Sequence, residues 1–260
     1  MKSLKIQKNS KKAFTVAEIL VTLAVIGVVA SFVVSMIKLK YQEVTTVSKL
    51  RKVYSMINNS YQQAIRKYGP LKYWNLAKGT WEKGDDDTTE NDDAAFFADA
   101  EKLYSRLLDG LNAENVSDVL PLQATNYFGN EDKAITVTDG FELQPLYRLP
   151  DGTTFFQSWI EKPDCTWSVG VDDRAFYVCG DFRADINGAD PPNIVGIDQF
   201  QFWITSNAII PMGYPKEKRS ADKFCVVDKA TMPPRNGYGC AAWAIEKGEM
   251  PWLYGKQVKW

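Results

Sequence analysis

The sequence contains no histidine among its 260 residues. Histidine is the commonest general base in enzymes and the commonest metal ligand, so its absence excludes histidine-based catalytic triads and histidine-containing metal sites. Acidic residues are numerous, but none of them forms a recognisable catalytic motif. We therefore expect a protein that is not an enzyme.

Charge is almost missing from Phe14–Ile37, where Glu18 is the single charged side chain. At about 1.5 Å per residue, an apolar helix of this length crosses a bilayer. A carboxylate in such a helix costs roughly 2.5–3.5 kcal/mol on insertion scales. We therefore expect Glu18 to pair with another group or to serve a function. A cleaved secretory signal peptide is disfavoured, because its apolar core is shorter and its cleavage site follows that core.

The residues around this carboxylate carry the most specific motif in the chain. Lys11–Leu20 reads Lys-Lys-Ala-Phe-Thr-Val-Ala-Glu-Ile-Leu. It resembles the N-terminal signal of type IV pilins and type II secretion pseudopilins, which a prepilin peptidase cuts before a phenylalanine that precedes glutamate by four residues. The resemblance implies cleavage between Ala13 and Phe14 and methylation of the new N-terminus. One departure is Ala13, where most of the family has glycine.

The resemblance also implies partners and a role for Glu18. The partners are other pilin or pseudopilin subunits, the prepilin peptidase, an inner-membrane assembly platform and the lipid bilayer. We expect Glu18 to lack a partner until the subunit enters a filament, where the methylated Phe14 amine of a neighbour neutralises it. The alternative is an uncleaved signal anchor that holds an exported domain.

Basic residues are unevenly placed around the apolar run. Two lysines follow it, whereas five precede it and no acidic residue lies among the first 17: Lys2, Lys5, Lys8, Lys11 and Lys12. Since basic flanks stay in the cytoplasm, we expect a single-pass inner-membrane protein with a periplasmic or extracellular C-terminal domain. Five of the 31 basic side chains leave with the leader, so 26 would face 32 acidic ones and nucleic-acid binding is not indicated.

All four cysteines lie in the region that this orientation exports: Cys165, Cys179, Cys225 and Cys240. An even number of cysteines in an exported domain indicates disulfides, and four allow three pairings. We favour Cys165–Cys179 with Cys225–Cys240, because each bridge closes a short loop. A zinc site is disfavoured by the lack of a Cys-x-x-Cys unit and of histidine.

The spacing of apolar residues divides the chain into segments. From Val47 to Tyr68 they recur every three or four positions, which predicts an amphipathic helix that ends at Gly69-Pro70. After an acidic run, Asp93 is a predicted cap for a helix over 94–109. The predicted segments are a leader (1–13), a transmembrane helix (14–37), a stem helix (38–69), a loop and helical insertion (70–133) and a β-rich exported domain (134–260).

The β-rich segment contains short runs that alternate with turn pairs such as Asp139-Gly140. The predicted strands are 135–137, 146–149, 153–160, 167–171, 175–178 and 200–205. An antiparallel sheet is the simplest arrangement of them. The predicted fold is therefore α+β, with the stem helix packed on an antiparallel sheet, as the resemblance to pilins also implies.

One stretch within this segment is rich in oxygen-bearing side chains around a glycine turn. Asp185, Asn187, Asp190 and Asp198 are candidate ligands for calcium, which takes six to eight oxygens. The match to an EF-hand is partial, because Arg183 occupies a ligand position and no glutamate closes the loop. Major pseudopilins are similar in carrying a calcium loop near the C-terminus. The alternative, which we favour, is a loop without a cofactor whose Asp and Asn side chains bond their own backbone.

These observations favour a structural subunit of a filament. The alternative is a membrane-anchored adhesin or ligand-binding domain, since eight tryptophans would allow stacking on sugars or on a partner. Type IV pilus, type II secretion pseudopilus and DNA-uptake filament share the same N-terminal chemistry. The sequence does not choose among them, nor between a major and a minor subunit.

Overall fold

The computed structural model describes residues 15–76, 92–118, 145–170, 177–228, 230–233 and 235–260, with the backbone alone at 92–98 and 157. The predicted α+β fold is confirmed: a long N-terminal helix accompanies an antiparallel sheet. The chain divides into two compact units, Met1–Gln42 and Glu43–Trp260. The predicted stem, insertion and β-rich segments from Glu43 onward thus form one unit.

The first helix, α1, runs unbroken from Val16 to Tyr68. Its apolar N-terminal stretch is long enough to cross a membrane, and none of that stretch is buried. Phe32 is 69 % exposed and Met36 is 70 % exposed. Contiguous apolar surface of this kind marks a protein or membrane contact, because leaving it in water is unfavourable.

The C-terminal half of α1 buries one stripe. Its fully or nearly fully buried apolar residues recur every three or four positions, as the sequence predicted: Val47, Leu50, Val53, Ile57, Tyr61 and Ala64. Gly69 ends the helix in the left-handed conformation, with φ +80°, and Pro70 follows it. Both the stripe and the end of the stem helix are therefore where the sequence placed them.

Six strands of the described residues form one antiparallel sheet in sequential order. They are β1 (Glu114–Asn115), β2 (Pro145–Arg148), β3 (Thr154–Ile160), β4 (Val178–Asp185), β5 (Gln199–Thr205) and β6 (Ile209–Pro211). Sequential antiparallel strands need only short connections, so the sheet is a meander. β1 lies in the segment predicted as an insertion, which therefore contributes to the sheet.

The two faces of β4 and β5 differ in chemistry, and all residues of both strands are buried. On one face Phe182 stacks on Phe202, and Tyr54 of α1 stacks on Phe202 in turn. On the other face, Gln201 lies between Arg183 and Asp181, accepting from Arg183 Nε and donating to Asp181 Oδ1. The apolar face thus packs on the stem helix, and the opposite face holds a polar network.

Several predicted strands differ in the structure. The run 135–137 lies outside the described residues. The prediction of a strand over 167–171 was wrong for its described part, since Trp167 and Gly170 form only isolated bridges. The stretch Asp181–Asp185, predicted as loop, belongs to β4. Its alternate side chains, Asp181, Arg183 and Asp185, are polar but buried. The expectation that polar residues of a strand point to water was therefore wrong for β4.

The helices complete the second unit: α2 (Asp92–Leu107), α3 (Ala221–Phe224) and α4 (Cys240–Lys247), with 3₁₀ turns at Leu71–Tyr73 and Pro251–Tyr254. Because α2 begins at Asp92, Asp93 lies inside it and is not its cap. The two disulfides are Cys165–Cys179 and Cys225–Cys240, so the sequential pairing is confirmed. The first ties the segment before β4 to β4 itself, and the second ties the residue after α3 to the first residue of α4.

Candidate functional site

The N-terminus of α1 is closed by reciprocal hydrogen bonds between Thr15 and Glu18. The Thr15 N–H and hydroxyl donate to Glu18 Oε2 at 2.8 and 3.0 Å, and the Glu18 N–H donates to Thr15 Oγ1 at 3.2 Å. This arrangement is a capping box, which satisfies two N–H groups that a helix end otherwise leaves without acceptors. Glu18 therefore has a partner within its own chain, whereas we expected it to lack one before assembly.

One oxygen of this carboxylate remains available. Both bonds from Thr15 reach Oε2, and Oε1 accepts none from the described residues. The side chain is exposed, so a cationic group outside the chain has access to it. Ala13 and Phe14, the predicted cleavage residues, lie outside the described residues, and the cleavage stays a prediction.

The candidate metal ligands lie in and beside residues 186–198, which connect β4 to β5 and are named the β4–β5 loop. Asp185 ends β4 and is paired in register with Gln199, the first residue of β5. Asp185 Oδ1 accepts the Asn187 N–H at 3.0 Å, and Asp185 Oδ2 accepts Gln199 Nε2 at 3.1 Å. The Asp185 carboxylate therefore links the end of β4 to the start of β5.

Asp198 organises the other side of the loop. Its Oδ1 accepts the Ile194 N–H at 2.7 Å, and its Oδ2 accepts the Asn193 N–H at 2.8 Å. Asn187 Nδ2 donates to the backbone carbonyl of Asp190 at 2.8 Å. The predicted bonding of Asp and Asn side chains to their own loop backbone is therefore confirmed.

Two buried carboxyl groups, Asp185 and Asp198, have raised pKa values. Asp185 is fully buried and Asp198 is 4 % exposed. Burial, and next the negative charge of Asp198, raise the pKa of Asp185 to about 8. Burial also raises the pKa of Asp198 to about 6, although the Ile194 and Asn193 N–H groups oppose the shift. A buried carboxyl group beside a second negative charge binds its proton more tightly, so Asp185 is the more easily protonated of the two.

Two amide oxygens beside this pair have no hydrogen-bond donor among the described residues: Asn187 Oδ1 and Gln199 Oε1. Gln199 is fully buried, and its Nε2 contacts Asp185, so the amide lies against that carboxylate. Leaving a buried polar atom without a partner costs about 1–3 kcal/mol. The site therefore has more oxygen acceptors than donors.

Carboxylate and amide oxygens are the ligands that Ca²⁺ prefers, but all four oxygens of Asp185 and Asp198 already accept N–H hydrogen bonds. Of the predicted ligands, Asp185 and Asp198 lie together, and the Asn187 side chain is close enough to lower the pKa of Asp198. Within the described ranges, no three acidic, histidine or cysteine side chains form a metal-binding group. The carboxylate of Asp190 is exposed and is not part of such a group.

Gln199 was missed from the sequence for a traceable reason. It faces Asp185 only because β4 extends to Asp185, and that extension was predicted as loop. Recognising the alternation of Asp181, Arg183 and Asp185 as a strand pattern would have placed Gln199 opposite the candidate ligands.

Comparison of the chain with protein-family models, curated proteins and solved structures gave no match. The features that bear on its function are the exposed apolar helix and its capped N-terminus.

The aromatic residues bear on the alternative of a sugar-binding or partner-binding module. Every tryptophan in the described residues is buried or partly buried. Trp203 packs edge-on against Trp167, and Trp243 packs against Trp260. These rings serve packing, so the described tryptophans form no stacking platform on the surface.

Proposed function

We propose that this chain is a structural subunit of a filament of the type IV pilus or type II secretion kind. It is made with a cytoplasmic leader, held in the inner membrane by its apolar helix, cleaved between Ala13 and Phe14, and methylated at the new N-terminus. Neighbouring subunits then associate through their N-terminal helices. The role is assembly and not catalytic turnover.

The observation that carries the proposal is the two-part character of α1. The helix is continuous over Val16–Tyr68, with an exposed apolar N-terminal stretch and a C-terminal half whose stripe packs on an antiparallel sheet. Such a helix has one stretch suited to lipid or to like helices and another suited to packing on a folded domain. Transfer from lipid to a bundle of like helices would keep the apolar stretch covered in both states.

The capping box sets the chemistry at the start of that helix. Glu18 Oε2 accepts both hydrogen bonds from Thr15, and Oε1 accepts none from the described residues. In the proposed filament, Oε1 receives the methylated amine of a neighbouring Phe14, while Oε2 keeps the helix end closed. Breaking a buried ion pair of this kind commonly costs about 3–5 kcal/mol.

The first experiment is mass spectrometry of the N-terminal peptide from membrane and sheared-surface fractions. The proposal predicts a chain that begins at N-methylated Phe14. An intact leader on the mature protein would overturn the proposal and leave a signal-anchored exported domain.

A second experiment separates the charge of Glu18 from its capping role. Glu18→Gln keeps an oxygen that accepts the Thr15 N–H but removes the negative charge, whereas Glu18→Ala removes both. We expect both variants to insert in the membrane and neither to enter sheared filaments, measured by immunoblot. Normal assembly of Glu18→Gln would show that capping alone suffices and would contradict the proposed ion pair.

A further inference from the structure

The C-terminal residues form a tail that is docked onto the second unit, and we call residues 250–260 the C-terminal tail. The indole N–H of Trp252 donates to the Gly196 carbonyl, and that of Trp260 donates to the Gly213 carbonyl, each at 2.8 Å. Both ends of the tail are therefore held against other segments of the folded unit.

The tail begins by descending along the stem helix. Before the tail, the end of α4 lies beside Arg51, which donates from Nε to the Ile245 carbonyl at 2.8 Å. The tail then reaches Glu43, which lies eight residues nearer the start of α1 and is the first residue of the second unit. Glu43 accepts the Met250 N–H at 2.7 Å and the Tyr254 hydroxyl at 3.1 Å.

After this turn, the tail returns to α4. The Trp260 ring lies 5.0 Å from the ring of Trp243, and the Lys247 ammonium of the same helix lies 5.3 Å from the Trp260 ring. The chain thus runs down from α4 to Glu43 and back again. Its reversal point is residues 251–256, which we name the tail tip.

The tail tip is close to the bilayer in any subunit whose apolar stretch spans it. Only six positions separate Glu43 from Ile37, the last residue of the apolar run. Six residues cover about 9 Å as a helix and at most about 22 Å when fully extended. The headgroup layer is itself about 5–8 Å deep. The tip therefore lies within reach of lipid headgroups, a conclusion that rests on the membrane insertion in the proposed function and not on filament assembly.

The tip exposes side chains that suit a membrane surface. Tyr254 is 39 % exposed, and Lys256 is exposed with no hydrogen bond or ion pair from its ammonium among the described residues. Residues 248–260 contain two lysines and one acidic residue. Tyrosine is enriched where a membrane meets water, and one lysine near an anionic surface strengthens binding by about fivefold.

We propose that the tail tip is a second membrane contact, in which Tyr254 and Lys256 rest on the headgroups of anionic phospholipids while the apolar helix holds the subunit in the bilayer. The Tyr254 hydroxyl stays bonded to Glu43, so the exposed part of the ring meets the headgroups from a fixed position. The contact orients the second unit on the membrane surface, and it is released when the subunit leaves the bilayer.

The far end of the stem supplies a matched control, because it carries the same chemistry at a different distance. The Lys72 ammonium lies 4.9 Å from the ring of Tyr73, which is 68 % exposed. This pair follows the end of α1, which is about 25 residues or roughly 40 Å beyond Glu43 along the helix. Binding that depends on composition alone would involve both pairs, whereas the proposed contact involves only the tail tip.

The full chain is reconstituted in nanodiscs of phosphatidylcholine alone and in nanodiscs of equal parts phosphatidylcholine and phosphatidylglycerol. Insertion is checked by copurification with the nanodiscs. The measurement is hydrogen exchange of the Gly255 and Lys256 amides, which bond carbonyls within the tip at 3.0 and 3.1 Å. The Tyr73 and Trp74 amides, which bond carbonyls within the far turn at 2.9 and 2.8 Å, are followed as the internal control.

In anionic nanodiscs, the Gly255 and Lys256 amides should exchange about fivefold more slowly than in neutral ones, which is the effect of one lysine at an anionic surface. The Tyr73 and Trp74 amides should exchange equally in both. Lys256→Glu should abolish the difference at the tip, and Lys72→Glu should keep it.

Two results with an inserted chain would overturn the proposed contact. The first is equal exchange of the tip amides in neutral and anionic nanodiscs. The second is equal loss of the difference in Lys256→Glu and Lys72→Glu, which would assign it to the net charge of the chain. Neither result bears on cleavage at Ala13. A chain that does not enter nanodiscs at all would overturn both this contact and the membrane helix of the proposed function.

Discussion

Helix α1 carries two glutamates that are both hydrogen-bonded but in opposite ways. Glu18 is exposed and is bonded to Thr15, three residues away. Glu43 is buried and is bonded to Met250 and Tyr254, which lie more than 200 positions along the chain. The first closes the end of its own helix, whereas the second joins that helix to the end of the chain.

The contribution of a helix carboxylate to stability thus depends on whether its hydrogen-bond partner is local or distant in the chain. A local partner stabilises the helix, and its loss frays one turn. A distant partner on a buried side chain stabilises the tertiary fold, and its loss leaves desolvated groups without bonds. Substitutions at Glu43, Tyr254 and Thr15 test this contrast, and one at Asp151 compares it with an exposed ion pair.

The largest effect is expected for Glu43→Ala. It leaves the buried Met250 N–H without an acceptor and removes the acceptor of the Tyr254 hydroxyl, so the free energy of unfolding should fall by about 3 kcal/mol. The measurement is guanidinium unfolding of the full chain in micelles, followed by tryptophan fluorescence. Glu43→Gln, which keeps one acceptor, should cost about 1 kcal/mol. A loss below about 0.5 kcal/mol in Glu43→Ala would contradict the long-range role.

The next effect isolates one of the two bonds. Tyr254→Phe removes a hydroxyl that donates to a carboxylate and should lower the free energy of unfolding by about 1.5 kcal/mol. Tyr73→Phe is the matched control, because Tyr73 is 68 % exposed and has no hydrogen bond from its hydroxyl among the described residues. Equal stability of the two variants would show that the tail does not need the Tyr254 bond.

At the local end of the comparison, Thr15→Val removes the hydroxyl that caps the Glu18 N–H, whereas Thr15→Ser keeps it. Loss of an N-cap typically costs about 1 kcal/mol, so the Glu18 amide should exchange about fivefold faster in Thr15→Val. The free energy of unfolding of the second unit should not change. Hydrogen exchange by NMR in micelles measures both. If Thr15→Val changed the free energy of unfolding of the second unit, the Thr15–Glu18 bonds would not be purely local, and Glu18 would no longer differ from Glu43 in this respect.

The smallest effect concerns an exposed contact of α1. Lys52 Nζ lies 2.9 Å from Asp151 Oδ2. Partial burial raises the pKa of Asp151, but hydrogen bonds from Lys52 and Thr153 outweigh it and the pKa is lowered. Because the folded state favours the charged form, the contribution is present above about pH 4 and is lost as the pH falls further. Asp151→Asn should remove about 0.5 kcal/mol and this part of the acid sensitivity, measured by unfolding at pH 3 and pH 6.

The sequence predicted the features that depend on neighbours along the chain. The stripe from Val47 to Ala64 and the stop at Gly69 follow from helical spacing and from the conformational freedom of glycine. The capping box could also have been read from Thr15 and Glu18, which stand in the Thr-x-x-Glu pattern that marks a helix start. The sequence analysis assigned Glu18 a role in filament assembly only, and it did not predict the hydrogen bonds of Glu18 to Thr15.

The features that depend on distant segments could not be predicted. Asp181 and Arg183 looked like loop residues because their partners, such as Arg219 and Tyr238, come from a segment that covers the sheet later in the chain. The same holds for Glu43, whose burial depends on a tail at the other end. Polar residues are satisfied inside a fold by partners that no local pattern indicates.

The position of Glu43 has a mechanical consequence. It is the first residue of the second unit, so a force drawn on the chain from its N-terminal side enters the folded unit there. Two hydrogen bonds of this residue come from Met250 and Tyr254, within the last eleven residues of the chain. A load applied at Glu43 would therefore be shared directly with the end of the chain, through these two hydrogen bonds.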